Sequence, residues 1–243
     1  MASDAPAAAA LETRLKRLIA HGGPLPLADF MRAALLDPEA GYYARAEPFG
    51  ARGDFVTAPE VSQLFGEIVG AFLVDLWRRA GAPANARLME LGPGRGTLMA
   101  DVLRVAALAP DFLSGPAAGV DLVEASPRLA EEQRDRLAAE AGRIRWHAAL
   151  PDPMPVPTFV VANEFFDALP IRQFERRAGA WRERRVGVGE DGAFVFVLGP
   201  PTPLPAEAPD DAVPEGGVIE VRPEADALMR TLAAHVVRHG GAV

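Results

Sequence analysis

The chain has 243 residues and a formal net charge of −8 at pH 7, with 49% hydrophobic and 24% charged residues, the balance of an ordinary globular protein. Its 46 Ala, 24 Arg and single Lys (Lys16) point to genome base composition rather than function, and the acidic balance argues against a general nucleic-acid binder. With no Cys, disulfide scaffolds, thiolate metal sites and cysteine nucleophiles are excluded, and the four scattered His form no ligand-spaced metal cluster.

From the start, Met1 to Ala10 is Ala-rich but carries Asp4 and lacks a basic start followed by an apolar run, so it does not read as a secretion signal. Leu11, Leu15, Leu18 and Ile19 mark a short helix ended by Gly22-Gly23-Pro24. A second helix begins near Leu27 and stops before Pro38, with Phe30, Met31, Ala34 and Leu35 on one face. Gly41 to Pro59, rich in Gly, aromatics and turn formers, reads as a long loop of the kind that serves as a binding loop or lid. Pro59 and Glu60 then open a helix whose Val61, Leu64, Phe65, Ile68, Phe72 and Leu76 recur every three or four residues. Glu67 and Asp75 interrupt this most apolar stretch, Val61 to Trp77, too often for it to cross a membrane, which leaves the cytoplasm as the default location.

After Gly81 strands alternate with helices: strand Arg87 to Leu91, helix Thr97 to Ala107, strand Gly119 to Glu124, helix Pro127 to Ala141, strand Arg143 to His147. Ser126 is placed as N-cap of the second of these helices, with Pro127 at its first position. Thr158 to Ala162 is a wholly apolar fourth strand, the kind buried on both faces of a parallel sheet. The alternation predicts a doubly wound, Rossmann-like α/β fold. Ile171 to Leu198 reads as an inserted antiparallel hairpin turning at Gly189 to Gly192, and Gly199 to Gly217, with six prolines, as a loop or linker. Pro223 opens a last amphipathic helix with Gly240 as its C-cap. Ala242 and Val243 fall where a further strand is due, so the chain reads as most of a larger domain, cut at its C-terminal end. Residues 1–80 are expected to form N-terminal helices with a cofactor-lid loop, and 81–243 the sheet domain.

Chemistry gathers in two places. Between the first strand and its helix lies Met89-Glu90-Leu91-Gly92-Pro93-Gly94-Arg95-Gly96-Thr97. Glycines there let the backbone approach a ligand and leave helix N-terminal N–H groups available, although turns alone can also explain a bare Gly-x-Gly-x-Gly. Dinucleotide folds use Gly-x-Gly-x-x-Gly with an acid about 20 residues later. Here the third glycine, Gly96, comes one place early, Glu90 precedes the glycines, and Glu124 ends the second strand 28 residues after Gly96. That pattern suits S-adenosylmethionine (SAM), with Glu124 accepting from the ribose hydroxyls and Glu90 near the ammonium end. The second place is Ala162-Asn163-Glu164-Phe165-Phe166-Asp167-Ala168-Leu169-Pro170, at the carboxyl edge of the fourth strand beside the crossover crevice. Glu164 and Asp167 suit a cationic acceptor such as a guanidinium, whose five fixed donors and pKa above about 12 call for a bidentate clamp. The plainer alternative has Phe165 and Phe166 packing the core and the two acids solvated. Thr57, before the long helix, is either its cap or part of a lid over the glycine site.

Gly41-Tyr42-Tyr43, Pro48-Phe49-Gly50, Gly53-Asp54-Phe55-Val56-Thr57-Ala58-Pro59-Glu60 and Ser62-Gln63-Leu64-Phe65-Gly66-Glu67 resemble the MidA-like SAM-dependent methyltransferases, as do Glu90 to Leu98 and Asn163 to Pro170. Mitochondrial members of that family are arginine methyltransferases that assist assembly of respiratory complex I, and the family continues beyond the point where this chain stops. The resemblance implies a class I SAM methyltransferase fold and methylation of a protein arginine, with a complex I subunit as candidate client. It implies SAM as methyl donor held by Glu90, Gly92, Gly94, Gly96, Thr97, Glu124 and Thr57, and no metal. Glu164, helped by Asp167, would orient the guanidine and offset its charge as a proton leaves, while Asn163 would hold the transferred group or the adenine. It further implies no nucleic-acid partner, no membrane insertion, a cytoplasmic bacterial protein (mitochondrial matrix in a eukaryote) and an oligomeric state left open, a homodimer included. The rivals are a small-molecule methyltransferase, a non-catalytic assembly factor binding through Tyr42, Tyr43 and Phe49, and an NAD-dependent oxidoreductase, which the glycine spacing fits poorly.

Overall fold

The computed structural model describes residues 5–37, 39–45, 57–152, 154–206 and 213–243. In chain order the elements are α1 (Ala5–Gly22), β1 (Leu25–Pro26), α2 (Leu27–Leu36), α3 (Tyr42–Arg45), α4 (Ala58–Val61), α5 (Gln63–Arg79), β2 (Arg87–Leu91), α6 (Thr97–Ala106), β3 (Gly119–Val123) and α7 (Pro127–Arg136). There follow β4 (Ile144–His147), β5 (Thr158–Val161), β6 (Arg172–Arg177), β7 (Ala180–Val188), β8 (Phe194–Pro201), β9 (Val218–Val221), α8 (Pro223–His239) and β10 (Gly241–Ala242), with 3-10 turns at Ala138–Arg143 and Phe166–Ala168. They fall into two compact units, Met1–Arg45 with Ala168–Ala227, and Ala46–Asp167 with Leu228–Val243.

The second of these is built on the parallel sheet β10-β5-β2-β3-β4. Every residue of β2 and β3 is buried, which is why both strands read as near-continuous apolar runs. Successive side chains alternate between the two faces. Leu88, Val120, Leu122 and Phe159 pack on α5 and α6 through Leu73, Val74, Trp77, Met99 and Val102. Met89, Leu91, Val123 and Val160 pack on the other side, against Leu228 and Leu232 of α8. Within the sheet a buried Arg87 donates to Asp121 at 2.6 Å and to the Ala117 carbonyl at 2.9 Å, and the His147 ring lies 2.8 Å from the other Asp121 oxygen. Chain order reverses between β2 and β5, so the crossover crevice opens at their carboxyl ends. The strand expected at the end of the chain is β10, parallel to β5.

The long helix departs from expectation twice. It is broken at Ser62, whose extended backbone ends α4 and whose hydroxyl accepts from the Leu64 N–H at 3.2 Å to start α5. Its apolar periodicity is only partly right: Phe65 and Leu76 pack against the core, whereas Val61, Leu64, Ile68 and Phe72 stay 59–68% exposed. The buried side carries Gly66 and Gly70, where a Cβ would lie 2.5 Å from Asp101 Cβ and 3.1 Å from Val102 Cα. Small residues let α5 and α6 approach backbone to backbone.

The other unit holds the antiparallel sheet β1-β7-β6-β9, with β8 on β7. Phe194 packs with Leu11, Leu15 and Phe30, and Phe174 with Ile219 and Val221. The buried carboxylates Glu175 and Glu183 accept from Arg184 and Arg172 across the β6–β7 pair. The predicted hairpin is therefore present, inside a larger sheet. Tyr42–Arg45 is a helical turn where a loop was expected, and α7 stops at Arg136, continuing as a 3-10 turn to Arg143. The rest of the expected lid, including Pro48 to Gly50 and Gly53 to Val56, lies outside the described residues.

Candidate active site

After Leu91 the chain turns through Gly92 to Gly96 into α6. Gly92, Gly94 and Gly96 all take left-handed φ values, +62°, +55° and +77°. At Gly92 this conformation coincides with close packing, because a Cβ would lie 2.7 Å from Phe165 Cδ2. The Gly92 N–H donates to the Val123 carbonyl at 2.9 Å, tying the loop to β3. Gly96 is the N-cap of α6 and offers no side-chain acceptor to the first N–H groups of that helix.

Two acids flank the loop. Glu90, the fourth residue of β2, is 2% exposed, and its Oε2 has no hydrogen-bond partner among the described residues. Burial, with the Glu124 charge as second cause, pushes its carboxyl up to about 8, so it is protonated at neutral pH. Glu124 follows β3, where its N–H donates to the His147 carbonyl. Its carboxylate accepts from the Ser126 N–H at 2.8 Å and from the Gln133 amide at 3.3 Å. Burial raises the Glu124 pKa, while these two donors, the Arg128 charge and the Gly94 backbone oppose the shift. Gln133, on α7 and fully buried, also donates to the Gly94 carbonyl at 2.7 Å and so links Glu124 to the glycine loop.

Ser126 caps α7 as expected, accepting from the Leu129 N–H. Thr57 sits at the N-cap of α4 but acts through its carbonyl, which accepts from the Glu60 and Val61 N–H groups; its side chain makes no cap bond. Glu60 reaches α6, accepting from Thr97 Oγ1 at 2.5 Å, with its second oxygen 3.5 Å from Arg95 Nη1. Arg95 in turn donates through Nε to Glu132 of α7 at 2.5 Å.

Beyond β5, Asn163 is half-buried and Glu164 exposed, the latter in a left-handed backbone conformation at φ +51°, uncommon for a residue with a side chain. Phe165 packs against the Met89 and Leu91 cluster and stands edge-on to Phe166, ring centres 5.3 Å apart. One cleft is lined by Thr57, Glu90, Gly92, Gly94, Thr97, Asn163 and Glu164, all singled out from the sequence. Gly96, Glu124 and Asp167 are not among its lining residues, and Asp167 is exposed in the turn Phe166–Ala168. Glu60 and Arg95 also line the cleft, and Gln133 stands behind the loop. Arg95 lies inside the glycine motif and Glu60 at the helix opening, but neither residue type marks a cofactor role by itself, and Gln133 lies in no motif.

A parallel sheet with β2 at its centre, a glycine turn from β2 into α6, and carboxylates in β2 (Glu90) and just after β3 (Glu124) define the class I SAM methyltransferase fold. Residues 68–243 match the family described as "Putative S-adenosyl-L-methionine-dependent methyltransferase", and the chain belongs to it. It is 37% identical to the mitochondrial protein arginine methyltransferase NDUFAF7 of Xenopus tropicalis, over 98% of this chain and 61% of that one. To the human protein of that name it is 35% identical, over 90% and 55%. Among solved structures, a Burkholderia thailandensis protein bound to S-adenosyl-homocysteine is similar at TM-score 0.82 and 33% identity, over 97% of this chain and 62% of that one. The chain thus spans 55–62% of the length of these relatives.

The residues present fit SAM. A cationic ligand answers the unpartnered buried oxygen of Glu90, and the left-handed glycines with the uncapped start of α6 leave backbone N–H groups for polar contacts. Among the described residues no cluster of three or more His, Asp or Glu could hold a metal ion, and no helix is long and apolar enough to cross a membrane.

Proposed function

We propose that this chain transfers a methyl group from SAM to an arginine side chain of a protein client. The reading is carried by Glu90, the glycine turn and Glu164 sharing one cleft at the crossover of β2 and β5, in a chain similar to proteins named as arginine methyltransferases. SAM supplies an electrophilic methyl group on a sulfonium. Gly92 to Gly96 cradle the methionine part, Thr57 and Thr97 close that end, Glu90 faces the ammonium group and Glu124 accepts from the ribose hydroxyls.

On the acceptor side, Glu164 with Asp167 would clamp the guanidinium and offset its charge as one proton passes to solvent; the nitrogen would bond the methyl carbon as the S–CH3 bond breaks and S-adenosyl-homocysteine leaves. Asn163 holds the transferred group or the adenine. The left-handed backbone at Glu164 aims a carboxylate from the end of β5, a strained placement of the sort found at functional sites. Much of the acceleration comes from alignment, for which effective molarities reach roughly 10⁵–10⁸ M. The client is a subunit of respiratory complex I, met in the cytoplasm of a bacterium or the matrix of a mitochondrion.

The test is transfer of labelled methyl groups from SAM into a lysate that contains complex I. Wild-type protein places label on arginine of a complex I subunit, and Glu164→Gln binds SAM but transfers none. Label confined to small molecules contradicts the reading.

A further inference from the structure

The glycine loop has no side chains at 92, 94 and 96 to anchor it, and within it the Gly96 N–H donates to the Pro93 carbonyl at 2.8 Å. Its side-chain support comes from other elements. From behind, Gln133 takes the Gly94 carbonyl at 2.7 Å. Glu60, whose side chain is 13% exposed, meets the end of the loop at two points, Thr97 Oγ1 at 2.5 Å and Arg95 Nη1 at 3.5 Å. Arg95 extends the link to Glu132 on α7 at 2.5 Å. A four-residue helix, α4, is thereby connected to the start of α6 and to α7 through one side chain.

We propose that Glu60 is a positioning residue for the cofactor: it fixes the Arg95–Thr97 end of the loop, so that the backbone N–H groups at the start of α6 are set before the cofactor arrives. The proposal rests on the SAM reading of the cleft. Glu60 acts through Thr97 and Arg95, which distinguishes it from Glu90 and Glu124. Without it the loop keeps its glycines and must be ordered at the moment of binding, a cost that appears as lost affinity and as a slower association rate. Because Thr97 and Glu60 act as one contact, deleting either should remove most of what deleting both removes.

The experiment is titration of S-adenosyl-homocysteine into the full chain, wild type, Glu60→Ala, Thr97→Val and the double variant, with association rates and amide hydrogen exchange of the unliganded proteins. Glu60→Ala is expected to bind about tenfold more weakly, the size of one lost charge-assisted hydrogen bond, with most of the change in the association rate. Exchange at residues 94–98 quickens in that variant while the central strands keep their protection. The double variant binds no more than about twofold worse than the weaker single variant. Glu60→Gln preserves shape and an acceptor for Thr97 and recovers part of the affinity, which a lesion of the fold would not show. If wild type binds and Glu60→Ala matches it within about twofold, or if the losses in the two single variants simply multiply, the positioning role is overturned while the cofactor reading stands. If wild type binds no S-adenosyl-homocysteine, both fall together.

Discussion

Glu90 lies in β2 and Glu124 directly follows the neighbouring parallel strand β3, and the buried Glu90 carboxyl is held at about 8 by its burial first and the nearby Glu124 charge second. With an ordinary value of 4.5, Glu90 in the folded chain keeps a proton that the unfolded chain has lost at every pH between about 4.5 and 8. The folded state binds more protons in that window, so its stability falls as pH rises, by about 1.4 kcal/mol per pH unit at most from this one group, and levels off above 8. Urea midpoints across pH 5–8 are expected to decline in wild type and to flatten in Glu90→Gln.

The same group links pH to binding. A cationic cofactor favours the carboxylate, so binding near pH 7 releases a proton, and affinity climbs with pH until about 8. Calorimetry with SAM in two buffers of different ionisation enthalpy should show proton release in wild type and a marked reduction of it in Glu90→Gln. Equal release in both proteins would remove Glu90 from the coupling.

Gly92→Ala places a methyl group 2.7 Å from the Phe165 ring in a left-handed conformation. The backbone alone costs roughly 1–2 kcal/mol, and the ring must also shift, loosening both the loop and the turn that carries Glu164. Denaturant midpoint and S-adenosyl-homocysteine affinity are both expected to fall.

Glu164 separates stability from activity. Replacing it with Gly relieves a left-handed backbone at φ +51° and is expected to keep or raise stability, by up to about 1 kcal/mol, while abolishing methyl transfer. A Glu164→Gly protein with full turnover would leave the carboxylate without a role.

Gly66→Ala brings a Cβ to 2.5 Å from Asp101 Cβ and forces α5 and α6 apart. A loss of about 1–3 kcal/mol is expected in equilibrium unfolding, the usual range for overpacking. Leu64→Ala on the same helix, at a position 60% exposed, should change stability by no more than about 0.5 kcal/mol.

That contrast shows where the sequence was legible. The parallel sheet was readable because β2, β3 and β5 are buried on both faces, leaving short runs that are mostly apolar, broken only by Arg87, Glu90 and Asp121 in β2 and β3, with glycine or proline at their ends. The glycine loop and Asn163-Glu164 could be placed at one edge because strand order puts β2 beside β5. On α5 the apolar stripe was only half informative: Phe65 and Leu76 reach the core, but the closest helix contact is made by Gly66 and Gly70, which carry no hydrophobic signal. The two-residue β1 is too short to show alternation and is defined by its partner β7, while β9 alternates in burial but not in sequence, Val218-Ile219-Glu220-Val221, and directly follows the proline-rich stretch that read as a loop or linker. Gln133 and Glu60 were missed for a related reason. Both serve the site from helices that precede or follow it, and nothing in their own neighbourhoods marks a polar residue as turned inward.

Side-by-side titration of the chain with SAM and NAD decides whether the cleft lined by Glu90 and the glycine turn, with Glu124 after the neighbouring strand, is a SAM site. Saturable binding of SAM, little or none of NAD, and a severe loss of SAM affinity in Glu124→Ala are predicted. Preferential binding of NAD, or near-normal SAM binding by Glu124→Ala, would contradict it.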